Sequence, residues 1–450
     1  MTDFAPLIAS VSGPVLTPAD GGYAEELSGF HLGLVHSPEA VIGAVNASDV
    51  VAAVGFARDR GLPVRVIATG HGAEDPITDG IVITTRRLDA VSVDAESRLA
   101  VVGGGARWAA VVSAAAEHGL AVVPGSSTNV GVVGYLMGGG LGPIARSHGF
   151  SSDRVRGFSV VTGSGELVEA SATENPDLFW ALRGGKGGLG VVTEVRVELV
   201  PLELYAGSLL FATDQIEPAL RAWVDYAAIA PDDVTTSVAI MRFPPIAEIP
   251  EMLRGKTLLS LRFAFPGTEQ DGTAHAAPLR NAAPALVDTI APLAPADMAT
   301  IHGDPTDPAP SWTSGGMLSA VDQDFASALL AQAGASAELP FVAVEVRHVG
   351  GATRADVPEG SAVGGRASSF TFGLVGILAF PGALEAMTGA AAGLREALAP
   401  WISDESTINF MSGPRDAEQF ASAWPAETFA RLKAVRAQYD PDGIFPFGLN

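Results

Sequence analysis

Three glycine-rich stretches and one charged strand carry the groups in this sequence that could do chemistry. The glycine stretches are Thr69-Gly70-His71-Gly72-Ala73, Gly125 to Gly142 and Gly184 to Gly190. Glycine permits positive φ and close backbone approach, and runs of backbone N–H groups form nests for anions. Three such stretches between Val64 and Pro201 point to a long ligand carrying a diphosphate. The charged strand is Phe341 to Val349, Phe-Val-Ala-Val-Glu-Val-Arg-His-Val. Strand alternation puts Glu345 and Arg347 on one face and Val342, Val344, Val346 and His348 on the other. Glu345 reads as a proton acceptor or substrate anchor with Arg347 tuning its charge. The pair reads equally as an exposed cross-strand ion pair worth ~0.2–1 kcal/mol. Tyr135, just before the Gly138 run, is a third polar candidate; the alternative is a core aromatic with a satisfied hydroxyl.

Several chemistries are excluded. Gly185, Gly187 and Gly190 fit G-x-G-x-x-G, but a helix pattern precedes them and a strand follows. That inverts the dinucleotide fingerprint. No G-x-x-x-x-G-K-[ST] occurs, and there are no cysteines, so disulfides, thiolate metal sites and cysteine nucleophiles are out. His31, His36, His302 and His348 lack metal-ligand spacing, and no metal is expected. With 27 basic against 50 acidic residues and a net charge of −23, the surface repels nucleic acid and anionic lipid. The N-terminal stretch shows no signal-peptide pattern and no membrane span is read, so a cytoplasmic protein is expected. Nothing in the sequence sets an oligomeric state.

The elements that must position these groups follow from periodicity and punctuation. Ser37 to Gly61 reads as a helix. Val64 to Ala68, Gly80 to Thr85, Ala90 to Val93 and Leu99 to Val102 read as strands, and Arg107 to His118 as a helix. A hairpin joins Gly157–Val161 to Glu166–Ala170. A short helix covers Asp177 to Leu182 and a strand Val191 to Val200. Beyond Pro201 strands (Thr236 to Arg242, Leu258 to Phe265, Phe341 to His348, Ser369 to Leu378) mix with Ala-rich helices (Ile216 to Ile229, Asp322 to Ala333, Ala383 to Ala399). Pro244 to Pro250, Asp304 to Gly316 and Gly350 to Arg366 read as substrate-domain loops. The pattern is α+β, and Thr428 to Gln438 is a final helix.

Four stretches make the chain resemble the berberine-bridge-enzyme-like flavin oxidases of the vanillyl-alcohol-oxidase superfamily. They are Thr69 to Gly72; Val130 to Gly142 continuing to Gly149; Asn175-Pro-Asp-Leu-Phe-Trp-Ala-Leu-Arg-Gly-Gly185 with Gly190 to Thr193; and Tyr439-Asp440-Pro441-Asp442. The resemblance implies a PCMH-type FAD-binding domain of two α+β subdomains, over 1–203 with a C-terminal return over 404–450. An α+β substrate domain with a large antiparallel sheet is expected over 204–403. It implies FAD contacts from Ala68, Thr69, Gly70, His71, Gly72 and Ala73; from Gly125, Ser126, Ser127, Val130, Gly131, Val132, Gly134, Gly138, Gly139, Gly140 and Gly142; and from Gly190, Val192 and Asn409. His71 occupies the position of covalent attachment to the flavin. The second, cysteinyl link of many relatives falls at Ser127, so attachment is single at most. Val130 sits at the family's oxygen gate.

The implied reaction moves a hydride from an alcohol, amine or ring C–H of a small organic substrate to the flavin, with dioxygen as acceptor and hydrogen peroxide as product. The family's tyrosine base of Tyr-x-Asn is Thr407 here, followed by Ile408 and Asn409. The base is therefore open, with Glu345 a candidate for base or substrate anchor. A dehydrogenase using another acceptor, or a flavin-binding protein without turnover, are the alternatives.

Overall fold

The computed structural model describes residues 2–73, 75–411 and 417–446. Of the expected C-terminal return, 412–416 and 447–450 lie outside the described residues. A first sheet is built from β1 (Val15–Leu16), β2 (Ala40–Gly43), β3 (Val64–Ile67) and β4 (Ile81–Thr84), in the order β1-β2-β4-β3. β2 and β3 both run parallel to β4. Every residue of β2 and of β4 is buried, the continuous apolar signature of an inner parallel strand. The single helix expected over Ser37 to Gly61 is therefore wrong in its first third. Four apolar residues in a row do not separate strand from helix by period alone. The helix proper is Ala47–Arg58, started by Asn46, whose side chain accepts from the Asp49 N–H, a strong N-cap.

A second, antiparallel sheet contains β5 (Val91–Asp94), β6 (Leu99–Gly103), β7 (Val155–Val161), β8 (Leu167–Ala170) and β9 (Val191–Glu198), ordered β5-β6-β9-β7-β8. The helices Pro176–Leu182 and Ala426–Tyr439 share its core through Leu178, Phe179, Leu432 and Val435. The C-terminal tail then crosses to the first sheet: Val64 N–H donates to Ile444 C=O at 2.8 Å. Asp440 fixes that crossing, its carboxylate accepting from the Ile444 and Phe445 N–H groups at 3.0 and 2.9 Å. The Tyr439 to Asp442 stretch is thus a knot that returns the tail to the N-terminal half.

The third sheet comprises β10 (Leu204–Phe211), β11 (Thr235–Arg242), β12 (Thr257–Pro266), β13 (Ala285–Asp288), β14 (Ala291–Pro292), β15 (Ser311–Leu318), β16 (Phe341–His348) and β17 (Phe370–Ile377). Its order is β13-β10-β12-β11-β16-β17-β15, with β14 on β10. One face packs on the helices Ile216–Ala227, Gln323–Ala333 and Ala383–Ala397 around Trp223, Phe263, Phe325 and Phe372. β15 corrects the loop expected over Asp304 to Gly316. Its pairing with β17 runs unbroken from Ser311↔Ile377 to Leu318↔Phe370, although Gly315 and Gly316 read as turn residues. Gly315 has another reason: a Cβ there would stand 2.5 Å from the Phe410 carbonyl. β10 and the helix Glu269–Arg280, which holds Pro278 inside it, carried no readable signal. Among the described residues no helix is long and apolar enough to cross a membrane.

Candidate active site

The expected cofactor stretches meet. The Thr69–Gly72 turn crosses an N-terminal segment so closely that a Cβ on Gly70, where φ is +74°, would lie 2.8 Å from the Gly29 Cα. Phe30 N–H donates to Thr69 C=O at 2.8 Å, and the Thr69 hydroxyl accepts from Gly131 N–H at 3.3 Å. Ala68 lies beside the same glycine, its Cβ 3.7 Å from where a Gly131 Cβ would stand. His71 stacks on Phe30 with ring centroids 3.7 Å apart. Its Nε2 is buried and has no hydrogen-bond partner among the described residues. Burial, then the nearby Arg107 charge, pushes His71 down to about 4, against a backbone hydrogen bond at Asn129. The imidazole is therefore neutral near pH 7. Gly72 is exposed and Ala73 half-buried at the end of the turn.

The second stretch is not all loop. Val132–Met137 is a helix, and Val132 N–H is spent on Ala106 C=O at 3.0 Å. Several glycines around it admit side chains. Cβ atoms on Gly125 and Gly140 would enter the Tyr135 ring, one on Gly138 would enter the Asn409 amide, and one on Gly142 the Pro124 carbonyl. Gly139 takes a left-handed φ of +94° against Phe150, whereas Gly134 faces open space. Ser126, Ser127 and Val130 are half-buried. Val130 holds the helix Trp108–Ala116 by accepting from Trp108 N–H at 3.1 Å. Gly190, with φ +128°, would drive a Cβ to 2.6 Å from the Val161 carbonyl, and Val192 is buried.

Lys186 joins these stretches and was not expected. Its Nζ donates to Asn409 Oδ1 at 2.7 Å and lies 3.5 Å from the Gly134 carbonyl. It also stands 3.7 Å from where a Gly72 Cβ would be. Asn409 in turn donates to the Tyr135 carbonyl at 2.9 Å. Lys186 holds φ +63°, a left-handed value rare outside glycine. The sequence signal was available: Lys186 is the one polar side chain within Gly184 to Gly190. The Asn175 to Gly185 stretch, by contrast, is packing. Arg183 is fully buried, stacks over the Phe179 ring at 3.9 Å and pairs with Glu359 at 3.2 Å.

Glu345 and Arg347 are not an exposed pair. Glu345 Oε2 accepts from Arg347 Nε at 2.7 Å and Oε1 from Arg262 Nη1 at 3.0 Å. The three side chains are 15%, 18% and 6% exposed, which rules out the screened surface case. Register explains the meeting: Ser237 on β11 is opposite both Arg262 on β12 and Arg347 on β16. His302 Nε2 is 4.0 Å from Glu345 Oε1. Burial favours the neutral acid of Glu345, but Arg347 and Arg262 outweigh it and lower its pKa. A carboxylate so held has little affinity for a proton, and both its oxygens are engaged. The geometry suits an anchor better than a base. Burial pushes the Tyr135 hydroxyl up to about 12, against the electrostatic pull of Arg347. Phe410 faces the Arg347 guanidinium at 5.6 Å. Thr407 is buried, and its carbonyl accepts from Phe410 and Met411 N–H at 3.0 Å each.

With this geometry in hand, similarity to known proteins can be placed on it. The FAD binding domain family matches residues 38–171. The chain is 35% identical over 217 residues to (R)-6-hydroxynicotine oxidase of Paenarthrobacter nicotinovorans, a match taking in 47% of each chain. It is 28% identical over 236 residues to the FAD-linked oxidoreductase YgaK of Bacillus subtilis, covering 51% of this chain and 52% of the relative. The matches thus span about half the length of these curated relatives. The fold extends further. The 6-hydroxy-D-nicotine oxidase structure from Arthrobacter nicotinovorans superposes with a TM-score of 0.83 at 24% identity, covering 99% of this chain and 98% of that one. The BBE-like 1 structure from Physcomitrella patens gives 0.84 at 16% identity with the same coverage.

Proposed function

We propose that this chain, whose residues 38–171 match the FAD binding domain family, is an FAD-dependent oxidase of the PCMH-type, vanillyl-alcohol-oxidase group. It would take a hydride from an alcohol, amine or ring C–H of a small organic substrate and use dioxygen as acceptor, giving hydrogen peroxide. One observation carries the reading: within the matched FAD-binding region, 38–171, the turns at Thr69 and Gly131 close on one another, and Lys186 and Asn409, from outside it, close on the same region at Gly134 and Tyr135. Those residues fit the cofactor. A buried imidazole nitrogen at His71, without a hydrogen-bond partner among the described residues, is a group awaiting one. Ala68 to Ala73, Ser126, Ser127, Val130, Gly131, Gly134, Gly190, Val192 and Asn409 are the residues that would hold FAD. When bound, the flavin supplies the two-electron acceptor for the substrate hydrogen.

The chain's own side chains do the rest. Neutral His71 offers Nε2 for a single covalent link, and a chain without cysteine has no second. Glu345 holds both Arg262 and Arg347 through its two carboxylate oxygens. The neutral Tyr135 hydroxyl is a donor, not a base, at physiological pH. Val130, half-buried and small, leaves an approach for dioxygen. The test is rapid mixing of the reduced, FAD-loaded protein with air-saturated buffer. Fast reoxidation with stoichiometric peroxide, slowed severalfold in Val130→Leu, supports an oxidase. Slow reoxidation by dioxygen but fast reoxidation by a quinone assigns a dehydrogenase instead.

A further inference from the structure

The chain carries −23 overall, yet one buried site has the opposite sign. Arg262 and Arg347 share the Glu345 carboxylate, so two cations stand against one close anion. Asp304 acts on both arginines electrostatically but makes no ion pair with either among the described residues. A cavity of ≈ 20 Å³ opens here, lined by Ser237, Arg262, His302 and Arg347 with Leu141 and Pro143. That is about the room of one water or one carboxylate oxygen.

The lining has unused hydrogen-bonding capacity. Arg262 Nε, the Ser237 hydroxyl and both ring nitrogens of His302 are buried without a partner among the described residues. Native proteins leave few such groups unsatisfied, and those they leave await water, an ion or a ligand. The free groups are mainly donors: a guanidinium N–H, a hydroxyl, and whichever imidazole nitrogen carries the proton. A ligand that completes them is an acceptor with negative charge, and a planar oxyanion suits a guanidinium best.

We infer that this cavity receives one oxygen of a substrate carboxylate, so that the oxidised molecule is an organic acid. The inference rests on the oxidase reading and names its substrate class. Arg262 and Ser237 would bind the oxyanion, and Glu345 would position Arg262 by holding its other face.

The FAD-loaded protein tests it with graded probes: formate, acetate and benzoate against formamide, acetamide and benzamide, at matched ionic strength. Melting temperature and flavin absorbance are both read. The expected result is saturable stabilisation by at least one acid, with its amide about tenfold weaker or more, the loss of a charged hydrogen bond. Ser237→Ala, which keeps every charge, should weaken the acid severalfold and leave the amide unchanged. Arg262→Gln should abolish the preference where it folds. Equal response to acid and amide, or no response to any acid, overturns the proposal. A protein that takes up no FAD defeats the oxidase reading instead, and the melting curves with acids still report on the cavity.

Discussion

Between Val64 and Pro201 the chain arranges its candidate cofactor contacts with backbone, whereas across β12, β11 and β16 it arranges charge with side chains. The first region needs glycine because neighbours arrive where a Cβ would be, as at Gly70 and Gly138. The second needs cross-strand register, because Arg262, Ser237 and Arg347 come together only when three strands pair. Backbone sites leave a local mark in sequence; register sites do not. A ligand shared by all relatives can be held by the first kind, and one peculiar to this chain by the second.

The largest effect that sharpens this contrast is on the charged side. Glu345→Ala leaves Arg262 and Arg347 without their carboxylate, a change that costs about 3–5 kcal/mol for a broken buried pair. Urea unfolding at pH 7 measures it, and a loss below ~1 kcal/mol would return the pair to the surface class. On the backbone side, Gly70→Ala forces a side chain into φ +74° and toward the Gly29 Cα. A loss of about 2–3 kcal/mol is expected from strain and overpacking together. Gly187→Ala, with nothing within 4 Å, should stay within about 0.5 kcal/mol. If both alanines behave alike, crowding is not what the glycines serve.

A smaller effect comes from His348, at the end of the charged strand. Burial, then Arg146 and Arg354, pushes it down to about 3, and its Nε2 faces Arg146 Nη1 at 2.8 Å. A histidine depressed on folding binds its proton first in the unfolded chain. Stability is therefore unaffected above pH ~6.5 and is lost as pH falls from there toward 3. His348→Gln keeps an acceptor for Arg146 without the titration. Relative to the parent it should gain about 2 kcal/mol between pH 7 and pH 5. Denaturant curves at the two pH values check this, and parallel losses in both proteins would contradict it.

Legibility followed the same division. The turn at Thr69 to Gly72, the helix Pro176–Leu182 and the tail at Tyr439 were readable because each is written in consecutive residues. β2 was misread as helix since a buried parallel strand has no alternation to display. β15 reads as loop because Gly315 answers to Phe410, far along the chain. Glu345 and Arg347 were found by alternation, but their burial was not, because Arg262 and His302 reach them from other elements. His302 had no local signal at all. Lys186 has one, a lone cation in a glycine run.

The account stands or falls on the cofactor, and the most direct measurement is flavin retained by the protein after acid precipitation. Wild-type protein should carry its yellow colour into the pellet, while His71→Ala should release FAD to the supernatant yet still bind it beforehand. A wild-type protein that holds no flavin before precipitation, even after incubation with excess FAD, would contradict the account at its root.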